Sequence, residues 1–412
     1  MKVSDLVGQK VMIAVSGGLD SCTITHWLKE KGIEVVAYTA DLGQPDEADI
    51  DDVRQRMLAC GASEMLVGDL KDAISAAGVQ LIQSQARYEG GYWNTTGIAR
   101  HVVVSDMIPL MSERGISILA HGATGRGNDQ VRFQLATQML APNFSVYAPW
   151  RDDEFLKVFG GRKEMIDYCQ TNGLPITASH DKPYSTDANL LGLTHEAGEL
   201  EALSTPSNRI KPGMGVFPIN ALNTAELFSV EFHEGKPVCI NGKRVQDLKA
   251  ITTSNEIGGR HGIGIGLHAV ENRFVGIKSR GIYEAPGLEL LGVCYEYLLQ
   301  LILDRRARRI FDPISNYIAE QIYQGYWFDT ATQACWKYVE HINKIATGEI
   351  TVSLYKGQVS FHAANNVKYS LYSEDTASME DIGDFDHRDS EGFLGVLGVS
   401  ARALNQSGQT GQ

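Results

Sequence analysis

The string Ser16-Gly17-Gly18-Leu19-Asp20-Ser21 restricts what this chain can fold into more than any other stretch. It follows directly on Lys10 to Val15, an apolar run with a polar end. It opens Ser21 to Lys31, where Ile24, Trp27 and Leu28 recur at helical spacing before Gly32 stops the pattern. A buried strand that feeds a glycine-rich turn into a helix is the first unit of a parallel sheet, and ligands bind beyond the carboxyl ends of such strands. Two glycines let the backbone approach phosphate oxygens with no Cβ in the way. The successive N–H groups and the helix N-terminus then present partial positive charge. Ser16 and Ser21 add hydroxyl donors. Asp20 is an odd neighbour for a phosphate unless it caps the helix or holds Mg²⁺. The string is neither a Walker A loop nor GxGxxG.

The alternation continues. Glu34 to Thr39 reads as a second strand, Asp46 to Cys60 as a helix and Met65 to Val67 as the start of a third strand. Thr96 to Arg114 reads as a long helix, with Ile116 to Ala120 and Ser145 to Ala148 as further strands. Strands alternating with helices predict an α/β parallel sheet covered on both faces. From Leu174 to residue 226 the chain is rich in Pro, Gly, Ser and Asn with little periodicity. Phe228 to Val245 then reads as two strands around Glu234-Gly235. Leu288 to Leu303, Pro313 to Tyr323 and Ala331 to Ile345 read as helices, and Glu349 to Phe361 as a hairpin turning at Lys356-Gly357. The expected division is therefore a nucleotide-binding domain over 1–173, an α+β domain over 174–364 and a C-terminal segment over 365–412 with a disordered end.

Composition narrows the partners. The formal net charge of -13 argues against DNA or RNA, whose phosphates favour basic surfaces. The six cysteines are scattered and none forms a CxxC pair, which points to a reducing compartment without disulfides or a zinc knuckle. No signal peptide and no apolar run of about 20 residues is visible, so no membrane is implied and a cytoplasmic protein is expected.

A second glycine-bearing string, His121-Gly122-Ala123-Thr124-Gly125-Arg126-Gly127-Asn128-Asp129, follows a strand and can wrap a phosphate or a carboxylate. Thr124, Asn128 and Asp129 offer a hydroxyl, an amide and a carboxylate. The carboxylate suits an ammonium, and the other two suit a carboxylate end. Arg132 lies one helical turn past Asn128, and a guanidinium there can clamp a carboxylate at two points. Capping of its own helix by this loop, with Asp129 in the first turn, is the plainer alternative.

The first string resembles the PP-motif of ATP pyrophosphatases, which cleave ATP between the α and β phosphates and adenylate a substrate. Further strings resemble the argininosuccinate synthase family along nearly the whole chain. They are Tyr38 to Gln44, His121 to Phe133, Tyr184-Ser185-Thr186-Asp187, Thr194-His195-Glu196, Glu271-Asn272-Arg273 and Lys278 to Glu284. The resemblance implies a nucleotide domain of the adenine nucleotide α-hydrolase kind followed by a synthetase domain. It also implies ATP with Mg²⁺, citrulline and aspartate as substrates, a citrullyl-adenylate, and a homotetramer in arginine synthesis. Carried over residue by residue, it puts Ala14, Val15, Ser16, Gly17, Gly18, Leu19, Asp20, Ser21, Cys22, Ala40, Gly122 and Thr124 against ATP. Thr124, Asn128 and Asp129 would meet aspartate. Tyr92, Thr96, Asn128, Arg132, Ser185, Asp187, Thr194, Glu196, Glu271 and Tyr283 would form the citrulline side. Asp20, Asp129 and Arg132 would carry the chemistry, with no metal ligand set of the protein's own. The chain departs from the family pattern at Cys22, where Ser is usual, at Arg126, where Lys is common, and at Gly97, where many members carry Ser. Other adenylating pyrophosphatases would share the phosphate loop but not His121 to Phe133. A nucleotide-binding sensor would have no reason to keep Asn128, Asp129 and Arg132 together.

Overall fold

The computed structural model describes residues 1–45, 49–176, 183–378, 380 and 386–411 of the chain. The apolar runs at the start become β1 (Lys10–Ala14), β2 (Glu34–Asp41), β3 (Glu64–Asp69), β4 (Ile118–His121) and β5 (Ser145–Tyr147). Between and after them lie α1 (Leu19–Glu30), α2 (Ile50–Ala59), α3 (Lys71–Ser84), α4 (Thr95–Glu113), α5 (Asp129–Leu140), α6 (Asp153–Val158) and α7 (Arg162–Thr171). The five strands pair in parallel in the order β3-β2-β1-β4-β5.

Side chains alternate across this sheet as its pleat requires. Val11, Ile13, Val35 and Ala37 pack on one face with α1, α2 and α7. Met12, Val36 and Tyr38 pack on the other with α3 and α4. Burial on both faces is why the strands read as continuous apolar runs. The strand order reverses at β1, which has β2 on one side and β4 on the other. Ala14 lies opposite Tyr38 and His121 in the two registers. The loops after β1 and β4 therefore diverge from adjacent strand ends and open a crevice.

The rest of the chain forms β6 (Ser185–Asn189), β7 (Gly192–Glu196), β8 (Glu226–His233), β9 (Lys236–Ile240), β10 (Lys243–Arg244), β11 (Leu267–Asn272), β12 (Lys278–Glu284), β13 (Gly348–Tyr355) and β14 (Gln358–Asn365). Its helices are α8 (Asp247–Arg260), α9 (Pro286–Ile302), α10 (Arg305–Gln324), α11 (Thr330–Asn343), α12 (Glu374–Ala377) and α13 (His387–Gln406). Two antiparallel sheets result, β10-β9-β8-β13-β14 and β11-β12-β7-β6. The second brings β7 and β12 side by side, pairing Thr194 with Tyr283. One apolar core runs from α3 and α4 through α8 and α9 to β8 and β13, so the antiparallel layers are fixed to the parallel one. No helix among the described residues is long and apolar enough to cross a membrane.

The α/β class and the parallel sheet agree with the sequence reading, as do the turns at Glu234-Gly235 and Lys356-Gly357. Several elements differ. The irregular stretch after Leu174 contains the β6–β7 hairpin, whose short, largely polar strands carry no apolar alternation. Helices α3 and α8 and the β11–β12 hairpin were not anticipated. Helix α10 begins at Arg305, not Pro313, because Asp304 caps it by accepting the N–H groups of Arg306 and Ala307. Pro313 is tolerated inside the helix on its exposed side, where a freed carbonyl meets water. The second helix begins at Ile50, and residues 46–48 of its expected start lie outside the described residues. The C-terminal end expected to be disordered starts within α13, whose last turn includes Asn405 and Gln406.

One buried carboxylate joins three parts of the first domain. Asp152 is 2 % exposed and accepts the Val3 N–H at 2.7 Å, the Tyr147 hydroxyl at 2.9 Å and the Glu154 N–H at the start of α6 at 3.0 Å. Asp152→Ala would leave those donors buried without a partner. It should lower unfolding stability by about 3 kcal/mol, read as the midpoint shift in urea at unchanged slope. A loss under about 0.5 kcal/mol, the size of an ordinary surface change, would show that the contacts are dispensable.

Candidate active site

Gly17 has φ +71°, a conformation that glycine adopts without strain, and a Cβ there would come within 2.9 Å of Val53 Cγ1. It turns the chain so that the loop closes on itself: the Ser16 N–H donates to the Ser21 hydroxyl at 3.0 Å, and Arg56 donates to the Gly17 carbonyl at 2.7 Å. Helix α1 opens after Gly18 with no side-chain cap, so no capping side chain takes up its first N–H groups. Asp20 sits in that first turn. It does not cap the helix; its Oδ1 instead accepts the Trp150 indole N–H at 3.0 Å. Burial raises the Asp20 carboxyl above its ordinary range, against the Trp150 hydrogen bond and the charge of Arg162. Cys22 is fully buried and its thiol points at the Gly17 carbonyl, 3.8 Å away, so it braces the loop from behind.

The loop after β4 faces this one. Gly122 lies close enough to Asp20 that an added Cβ would stand 3.5 Å from the Asp20 Cβ. His121 accepts the Ala123 N–H on Nδ1, and burial pushes its ring down to about 3, so the ring is neutral with its proton on Nε2. That buried Nε2 has no partner among the described residues. An uncapped helix end, a glycine cradle and an orphaned donor together fit an adenine nucleotide.

A cleft of about 270 Å³ extends from these loops. Asp20, Tyr92, Thr96, Gly122, Thr124, Asn128, Asp129, Arg132, Asp187, Thr194, Glu196, Glu271 and Tyr283 line it, which brings together residues that are far apart in sequence. Ala14, Val15, Ser16, Gly17, Gly18, Leu19, Ser21, Cys22 and Ala40 lie outside its lining, in or beside the phosphate loop. Ser185 is exposed at the start of β6, paired in register with Glu196.

The floor is a charged network. Asp129 opens α5 and accepts from Arg132 Nη1 at 2.7 Å and from Arg100 Nε at 2.9 Å, and Arg100 also pairs with Asp187. Burial works to raise the Asp129 carboxyl, but the Arg100 and Arg132 guanidiniums outweigh it and hold it at about 2. Arg132 also donates through Nε to the Tyr323 carbonyl at 3.0 Å and lies over the Tyr323 ring. One wall is aromatic. Tyr92 and Tyr283 stack at 4.2 Å, Tyr92 accepts the Thr96 N–H, and Tyr283 donates to Glu271 at 2.8 Å. The other wall carries Thr194 and Glu196, which point into the cleft because β7 alternates. His195 between them faces away and bonds Glu284 at 2.6 Å. Withdrawal from water pushes the Glu196 carboxyl up to about 7. The charges of Asp129, Asp187 and Glu271 add to this, and Arg273 at 3.7 Å opposes it.

Arg100, Trp150, Arg273 and Tyr323 were not among the sequence-derived site residues. Arg100 stands one helical turn past Thr96, and Arg273 belongs to the Glu271-Asn272-Arg273 string, so spacing held a signal for both. Nothing local marks Trp150 or Tyr323, which the fold delivers.

The Glu196 shift has a signed consequence. Its folded value is raised above the ordinary glutamate value, so its contribution to stability is full below about pH 4.3 and is lost as pH rises through about 7. Glu196→Gln should raise the thermal midpoint over the unmodified protein at pH 8, and the gap should close toward pH 4.5. A gap that is constant with pH, or larger in acid, would contradict this assignment.

Comparison with known proteins agrees with the geometry. Residues 10–175 match the family model described as the arginosuccinate synthase N-terminal HUP domain, and residues 184–404 match that of the C-terminal domain. The chain is similar to the argininosuccinate synthase of Rhodopirellula baltica, with 39% identity over 95% of this chain and 96% of that one. Those of Thermotoga petrophila and Desulfitobacterium hafniense are each 38% identical. The first match covers 94% of this chain and 95% of the relative, the second 96% and 98%.

Proposed function

The chain belongs to the argininosuccinate synthase family, and we propose that it joins citrulline to aspartate through a citrullyl-adenylate, releasing AMP and pyrophosphate. It is an ATP-dependent ligase, and the open question is how this cleft performs the ligation. The carrying observation is the juxtaposition of an uncapped, glycine-turned helix end with the Asp129 network across one cleft.

In this reading the loop from Ala14 to Cys22, with Ala40 and Gly122, holds MgATP. Its N–H groups stabilise charge on the leaving pyrophosphate. Asp20 would orient the Mg²⁺ that travels with the nucleotide. Citrulline lies along the Tyr92–Tyr283 wall, bounded by Thr96, Asp187, Thr194, Glu196 and Glu271, with Ser185 at the rim. Its ureido oxygen attacks the α-phosphorus. Thr124, Asn128 and Asp129 receive aspartate, whose amine then displaces AMP from the ureido carbon. A carboxylate held at about 2 is a weak proton acceptor, so Asp129 serves as the fixed anion that orients the ammonium, which gives a proton to solvent before the free amine attacks and the ureido oxygen leaves with AMP. Arg132, fastened to Asp129 and to Tyr323, keeps that anion in place and lends positive charge to the citrulline side. The protein's contribution is thus positioning and electrostatics.

Assembly belongs to the same proposal. None of the 20 residues of α13 is buried, and Phe393, Leu394, Leu397 and Leu404 are exposed on it. A helix with an unmet apolar face needs a partner, and we assign it to a homotetramer of a cytoplasmic enzyme. Light scattering should give about four times the 45.1 kDa chain mass, and Leu397→Asp should shift it downward. A monomer for the unmodified chain would reject the assembly.

The adenylate is tested with citrulline carrying a heavy oxygen isotope in its ureido group. After full turnover with ATP and aspartate, the label should appear in AMP, with argininosuccinate formed in equal amount. Label in orthophosphate, or ADP as the main nucleotide product, would exclude attack at the α-phosphorus.

A further inference from the structure

Every substrate in this reading is an anion or carries a carboxylate, yet the cleft is itself acidic. Among its described lining residues Asp20, Asp129, Asp187, Glu196 and Glu271 are carboxylic acids, and only Arg132 and Arg273 are cations. Arg132 is committed: Nη1 holds Asp129, and Nε holds the Tyr323 carbonyl. Arg100 is bound between Asp129 and Asp187 and does not line the cleft. Arg273 is held differently. Its ion pair with Glu196 is loose at 3.7 Å, and its Nη1 reaches the Arg126 carbonyl only at 3.4 Å. Both are long for a guanidinium, which makes close two-point contacts when a matching carboxylate is present.

The turn between β11 and β12 decides what Arg273 can meet. The next residue, Phe274, donates its N–H to the Asn128 side chain at 3.0 Å. The hairpin tip is thereby pinned to the loop that carries Thr124, Asn128 and Asp129. An amino-acid dicarboxylate seated there presents three charges. Its ammonium is matched by Asp129, and one carboxylate by the Thr124 hydroxyl and Asn128 amide. The second carboxylate needs a cation beside the same loop; Arg126 of the loop does not line the cleft, and Arg273 is a lining cation that touches the loop.

We propose that Arg273 is the specificity-determining residue for the amine donor, reading the side-chain carboxylate that distinguishes aspartate from asparagine. This rests on the assignment of the 122–129 loop to the amine donor. Approach of that carboxylate draws the guanidinium from Glu196, so an acidic donor gains an ion pair that an amide cannot form. A neutral donor leaves Arg273 on Glu196 and the site unimproved.

The test uses the full chain and measures pyrophosphate release with MgATP, citrulline and either aspartate or asparagine. If asparagine is not turned over, its inhibition constant against aspartate replaces kcat/KM. Arg273→Gln should raise the KM for aspartate roughly tenfold or more. The KM for citrulline and the handling of asparagine should change less than threefold, so the preference for aspartate falls by about the same tenfold. Arg273→Lys should restore part of that preference. If Arg273→Gln is unstable because Glu196 loses its partner, the pair Arg273→Gln with Glu196→Gln, set against Glu196→Gln alone, gives the aspartate-to-asparagine comparison with both charges removed. Equal losses with aspartate and asparagine, or a rise confined to the KM for citrulline, would overturn the proposal. Failure of the underlying family activity has another signature: the unmodified enzyme would release no pyrophosphate with either donor.

Discussion

The parallel pairing of β1 with β4 is the constraint on which the site depends. It sets Ala14 beside His121 at the one place where the strand order reverses, so two glycine-bearing loops more than 100 residues apart leave the sheet next to each other. No strand lies between them, so the loop assigned to the nucleotide and the loop assigned to the amino acid face each other directly. If β4 paired anywhere else, the loops would be at least one further strand spacing apart, about 4.8 Å more, and the crevice between them would be lost. The apolar layers on both faces hold this pairing, which ties the geometry of the chemistry directly to the core.

Around that crevice the protein concentrates charge and then pairs it internally. Asp129, Arg100, Arg132 and Asp187 form a chain in which each group compensates its neighbour. Buried charges are tolerated only in such company. The result is a rigid electrostatic floor that needs no reorganisation when substrates arrive. The Glu196 and Arg273 pair at the rim is looser and more exposed. Stiffness at the floor and slack at the rim suit a site that must align one substrate and choose another.

Local sequence shows the unit that we assign to the nucleotide. The strand, the glycine turn and the helix are contiguous, so their pattern is visible without the rest of the chain. It shows the rest of the cleft less well. Strands β6, β7, β11 and β12 contribute Asp187, Thr194, Glu196, Glu271 and Tyr283, and in β7 the face turned from the cleft carries a polar residue as well, His195 bonded to Glu284, so no apolar alternation remains to be read. The β6–β7 hairpin therefore looked irregular, although resemblance still named its residues. Helix α3 was missed for another reason: Ile74, Ala77, Leu81 and Ile82 serve one core among several small residues, which leaves a weak stripe.

By itself the sequence determined the class of fold, the glycine turn between β1 and α1 and the family, because each of these rests on contiguous residues whose chemistry acts over a few ångströms. Only the tertiary structure decided which carboxylate is held ionised and which is pushed toward neutrality. Asp129 and Glu196 are acids of nearly equal intrinsic strength. One is set between two guanidiniums that outweigh its burial, and sits at about 2; the other is withdrawn from water, with three carboxylates adding to the effect and Arg273 opposing it, and sits at about 7. Arg132 is a neighbour of Asp129 on its own helix, but Arg100, Asp187, Glu271 and Arg273 come from other elements and the burial of both acids comes from packing, which no order of residues along the chain encodes.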